Sequence, residues 1–203
     1  MWNLFSPKKT SYDKTADLIR RASIATSGAC CEAMEQNHFF LKPQFDPLMC
    51  ETVAFFMSMS LNELMRVQKV ATKEDYERLR FELLQAMGLL AGEKPDFRPY
   101  AAAAMTEPFD ILTDGYYRGG LDDIGISPTE LRAFAAKHEL TDPATVAGFS
   151  LSVLSHLARV SAIVGVEQIG ERHPSGERLA VSILGKILKE NVNFFLTEVR
   201  RIL

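Results

Sequence analysis

The stretch PSGERLAVSILGKILKENVNFFLTEVRRIL, residues 174–203, decides the fold class. Its apolar residues Ala180, Ile183, Leu184, Ile187, Leu188, Val192, Phe195, Val199 and Ile202 recur at spacings of three and four, the period of one helical face. Pro174-Ser175 marks the start, since proline is tolerated where a helix has no amide partner to lose. Val181, Phe194, Leu196 and Leu203 fall off that stripe. One core face cannot cover both sets, so the expectation is that this helix also takes part in a homodimer.

The same punctuation recurs upstream. Asp142-Pro143 launches a long helix expected to run to Ile169, and Ser127-Pro128-Thr129-Glu130 reads as a capping box opening a short helix to His138. Ser11 and Asp13 open a first helix carried to Asn37. Asp46-Pro47 starts a second, apolar nearly all round, to Val70. Thr72-Lys73-Glu74-Asp75 caps a third, with Tyr76, Leu79, Leu83, Met87 and Leu90 in phase and Gly92 as its stop. No alternating run survives outside these segments. The fold class is all-α: a single-domain bundle of about seven helices, three in 11–91 and three in 127–203.

Residues 92–126 read as an irregular Pro/Gly-rich middle segment, with short helices at 100–106 and 109–112 and a loop from Thr113 to Asp123. Between 105 and 127 five carboxylates oppose the single cation Arg118. Tyrosine and arginine are enriched at binding hot spots, and long loops carry function. Tyr116, Tyr117, Arg118, Asp122 and Asp123 are therefore the candidate partner- or ligand-binding residues. The competing expectation is a mere connection, with the tyrosines packed on helices and Arg118 paired to an aspartate.

Composition narrows the function classes. A net charge of −3 with no basic stripe gives no footprint for nucleic acid. The apolar run Ala144 to Val166 is interrupted by His156 and Arg159, so no integral membrane segment is expected. The residues after Lys8-Lys9 are polar, which predicts no secretory leader, and three cysteines without a pairing framework point to the cytoplasm. The apolar tip Met1-Trp2-Asn3-Leu4-Phe5-Ser6-Pro7 is expected to dock on the protein's own body or on a second subunit.

Three constellations bear on chemistry. Cys31, Glu35 and His38 share a helical face, and a helix hairpin brings Cys50 and Glu51 towards them, which makes these five the alternative metal site. Glu35-Gln36-Asn37-His38 has the Glu-x-x-His spacing of di-iron bundles, but only once; Glu167, Glu171 and His173 are wrongly spaced for a second copy. His156 lies beside Ser152 and Ser155, yet nothing nominates an orienting acid or an oxyanion hole, so it reads as a core histidine. Finally, Ser150, Ser152, Ser155, Ala158, Ser161, Ala162 and Gly165 line one helix with small residues, and so do Ala22 to Ala29 in the first. Close packing is the expected use, and an apolar ligand slot between helices is the alternative. No cofactor signature is present.

The favoured function is a non-enzymatic interaction or regulatory module acting through self-association and an unknown protein partner. The alternative is a ligand- or metal-binding bundle, with or without catalysis.

Overall fold

A computed structural model describes residues 10–37, 45–120, 122–140 and 151–203. It is 86% helical, and among the described residues there are nine α-helices and no strand. They are α1 (Ser11–Gln36), α2 (Phe45–Gln68), α3 (Lys73–Glu93), α4 (Arg98–Ala103), α5 (Glu107–Arg118), α6 (Pro128–Lys137), α7 (Leu151–Ile163), α8 (Val166–Arg172) and α9 (Pro174–Ile202), with a 3-10 turn at Pro95–Phe97 before α4.

The caps follow the expected chemistry with small shifts. Thr10, one residue before Ser11, caps α1 in a reciprocal box with Asp13. Ser127 and Glu130 do the same for α6, and the Thr72 hydroxyl accepts from the Asp75 amide at the start of α3. Gly92 does not stop α3, which continues to Glu93.

Two larger corrections concern the middle and the long helix. Residues 113–118 are the last turns of α5 and not a loop; the helix ends at Gly119, whose left-handed φ of 70° only glycine adopts cheaply. The long helix carried to Ile169 breaks at Gly165 (φ 74°), which ends α7 and redirects the chain into α8. Its expected beginning, residues 142–150, lies outside the described residues, as does the tip at residues 1–7.

The core has two clusters. The first gathers α1 to α5 around Leu18, Ile19, Phe55, Phe56, Leu83 and Phe97; the second joins Cys30, Met34 and Leu48 to Leu157, Val160 and Ile169. α9 runs through both. Ala180, Val181, Leu184 and Leu188 fill the second, whereas Val192, Phe195 and Val199 complete the first, with Phe56 and Phe195 ring centroids 4.5 Å apart. Val181 is therefore core, and Leu196 and Leu203 pack half-buried on the first cluster, so the chain itself covers three of the four off-stripe residues. Arg200 reaches Glu63 Oε1 at 2.7 Å, and Arg66 holds the other oxygen at 2.6 Å, tying α9 to α2.

Among the described residues no helix is long and apolar enough to cross a membrane.

Candidate functional site

α2 is buried on several sides, so any charged residue on it must find partners inside the protein. Glu51, 2% exposed, finds three. Its Oε1 accepts a hydrogen bond from the Tyr116 hydroxyl of α5 and another from Arg159 Nε of α7 at 2.7 Å. His156 Nδ1, also from α7, lies 3.7 Å away. Arg159 Nη1 donates onward to the carbonyl of Ile124, in the turn after α5. One carboxylate thus pins three helices and a turn.

The His156 ring is wholly buried and stacks on Phe55 at 4.1 Å, nearly parallel, while Tyr116 meets Phe55 edge-on at 5.3 Å. Tyr116 Oη and His156 Nδ1 are 3.3 Å apart. Because the tyrosine proton goes to Glu51, a neutral His156 carrying its proton on Nδ1 donates to the tyrosine oxygen. Its Nε2 is buried without a partner. Burial pushes His156 below the usual imidazole range, with Glu51 opposing, so the ring stays neutral. For Glu51, burial alone would raise the carboxyl, but the neighbouring His156 ring and the hydrogen-bonded Arg159 guanidinium outweigh it and bring it down to about 2. Burial and then the Glu51 carboxylate drive the Tyr116 hydroxyl well above its ordinary range. None of these groups offers a free, accessible nucleophile or base. Ser155, the neighbour considered for catalysis, spends its hydroxyl on the Leu151 carbonyl at 2.8 Å.

Of this network, Arg159 and Ile124 reach the lining of a cavity of about 470 Å³. Arg159, Asp123, Ile124 and Gly125 line it from one side, Cys50, Thr106, Pro108 and Phe109 from the others. Two of the candidate binding residues, Tyr116 and Asp123, belong to this region. Tyr117 instead packs half-buried on Tyr76 with centroids 4.3 Å apart; Arg118 pairs with Asp114 at 3.0 Å; Asp122 is exposed and its carbonyl accepts from the Gly125 amide at 3.0 Å. Tyr116 and Tyr117 thus pack on neighbouring helices, and Arg118 is paired to an aspartate.

Four of the five metal candidates are among the described residues, and those four do not come together at one point. Glu51 faces Tyr116 and Arg159, Cys50 lines the cavity, and Cys31 and Glu35 sit on α1, Glu35 being exposed. His38 lies outside the described residues. Among the described residues no group of three histidine, cysteine or acidic side chains is placed to hold a metal. Burial raises all three thiols, Cys30 to about 12, which makes them poor ligands and poor nucleophiles.

Gly115 is where the site meets the backbone. A Cβ there would lie 2.7 Å from Ile124 Cγ2 and 3.1 Å from the Gly120 carbonyl. Alanine normally gains about 1 kcal/mol over glycine inside a helix, but overpacking costs about 1–3 kcal/mol. Gly115→Ala is thus expected to lower stability by up to about 2 kcal/mol in urea denaturation. A gain in stability would show that the turn yields freely.

The sequence singles out Glu51 only as a metal ligand and Arg159 only as a charge interrupting an apolar run. The available signal was His156 and Arg159, three apart, inside an otherwise apolar helix. No family model matches the chain, and neither the comparison with curated proteins nor that with solved structures finds a match.

Proposed function

We propose that the chain is a non-enzymatic helical interaction module of a regulatory kind, acting in the cytoplasm through self-association and partner binding. The observation that carries this reading is the outer side of α9. Leu179 and Phe194 are 51% and 53% exposed there, with Ile183 and Ile187 half-buried between them at helical spacing. Such a strip on the surface of a protein is typical of an interface, and two-fold pairing is the commonest way to bury it. The exposed Arg118 and Asp122 are the part of the surface we assign to a protein partner.

Light scattering tests the self-association. A mass near 45 kDa, about twice the 22.7 kDa chain, is expected at micromolar concentration, and Phe194→Glu should return it to one chain with unchanged helicity. A wild-type protein that stays monomeric at high concentration removes the basis for the proposal.

A second reading, a ligand-binding bundle, is favoured by the cavity above Arg159. Arg159 in its lining is held in place by Glu51 and by the Ile124 carbonyl, the condition under which a pocket binds without a large ordering cost.

A further inference from the structure

We propose that α6 is a lid, released from the body of the protein when His138 takes up a proton.

α6 is seated loosely along its length and tied at its ends. Of its ten residues only Leu131 and Ala135 are buried, with Phe134 half-buried. Beneath it a cavity of about 290 Å³ lies between Ala133 and Phe134 on one side and Ala158, Ala162 and Val166 of α7 and α8 on the other. Helix and body are not close-packed there, so the seat forgoes the contacts a filled interface would make. One tie precedes the helix: the Ile124 carbonyl accepts from Arg159 Nη1, and Gly125, at φ 70°, turns the chain into the Ser127 cap. The other is at its C-terminal end, where Lys137 and His138 meet Glu177 of α9.

That second tie is a buried charge cluster. Glu177 is 6% exposed; Lys137 Nζ lies 2.5 Å from its Oε1, and His138 Nε2 lies 3.6 Å from the same oxygen. Its Oε2 is shut in by α8, since a Cβ on Gly170 would come within 2.1 Å of it. The His138 side chain is buried, with the Phe134 ring 4.7 Å away. Around them stand Glu130 of α6, bonded to the Ser127 amide, Glu167 of α8, and Arg178 of α9, paired with Glu139; α7 presents only Ala158, Ser161 and Ala162 to the cavity.

With a neutral ring, Lys137 and Glu177 cancel. A proton on His138 would add an excess cation to a ring shut off from water. It would also put a donor on Nδ1, which is buried without a partner among the described residues. Burial accordingly holds this ring below its usual range; Glu177 opposes, while Lys137 and Arg178 add to the effect. Once α6 swings out, the ring is hydrated and returns to its ordinary 6.5. The released lid therefore binds a proton that the seated lid refuses. Seating is at full strength above 6.5 and weakens as pH falls below it. Release also relaxes Glu139, whose φ of 59° is left-handed, and uncovers Ala158 and Val166.

Amide hydrogen exchange of the full chain, corrected for intrinsic rates, tests the lid. From about pH 7.5 to about pH 5.5, residues 131–137 should lose about tenfold in protection. His138→Gln, with an unchanged circular dichroism spectrum at the higher pH, should remove that loss. Lys137→Gln should shrink it, because the proton then balances Glu177. Protection that does not change with pH, or an equal loss in His138→Gln, would overturn the assignment. So would a His138 ring that titrates at or above 6.5 in NMR spectra of the wild type, a reading that needs no variant to fold.

Discussion

Glu51→Ala is expected to lower the unfolding free energy by about 3–5 kcal/mol, the cost of breaking a buried ion pair by removing one partner. The figure is high because the substitution strands several groups at once. Arg159 keeps its charge with only the Ile124 carbonyl to accept from it, and the Tyr116 hydroxyl loses the acceptor for its proton. Domains of this kind are stable by about 5–15 kcal/mol in all, so the variant should melt far below the wild type and refold poorly. Glu51→Gln retains an acceptor of the same shape and should lose less. Urea denaturation of Glu51→Ala, Arg159→Met and the double variant provides the measurement, because the cycle isolates the pair. A loss under about 1 kcal/mol for Glu51→Ala would mean that the network contributes no more than a surface salt bridge.

The second large effect is acid lability. Glu51 has its carboxyl lowered from 4.5 to about 2 in the folded protein, so below 4.5 the unfolded chain takes up a proton that the folded chain refuses. Its contribution is complete above that value and is lost as pH falls through about 2; the shift is worth about 3 kcal/mol. His156 acts in the same sense and starts earlier. Burial lowers it from 6.5, so acidification below that point protonates the unfolded chain first. Stability should therefore decline from about pH 6 and steepen below about pH 5. Urea midpoints across that range, compared with Glu51→Gln, test the source. If the two proteins lose stability in parallel from pH 5 to pH 3, the acid effect arises elsewhere.

How much of this was legible depended on whether a residue's partner lies near it in sequence. Helix periodicity and caps are local, and so the all-α class, the Ser127–Glu130 box and the α9 stripe could be read directly. Gly115 and Gly120 misled for the opposite reason. Their composition suggested a loop, whereas Gly115 stands inside α5, where a bare Cα admits Ile124 and the Gly120 carbonyl. A glycine kept for packing and one kept for turning look alike in sequence. The site was hidden by distance: Tyr116 and Arg159 lie 65 and 108 positions from Glu51. Nothing in α2 announces which of its faces meets α7. Val181 shows the same limit, since the second cluster that covers it is built from helices no periodicity could place against α9.

The path of α9 through both clusters also sets a schedule during synthesis. Phe195 and Val199 must reach Phe56 and the residues of α1, yet they are made well over a hundred residues later. At about 5–20 residues per second, the interval is on the order of ten seconds or more. Over that time α1 to α5 can gather locally, but the groove meant for Val192, Phe195 and Val199 stays open. Cys30, Met34 and Leu48 wait likewise for α7 to α9. The nascent chain therefore presents two unfilled apolar grooves to the chaperones around the ribosome, and one late helix closes both.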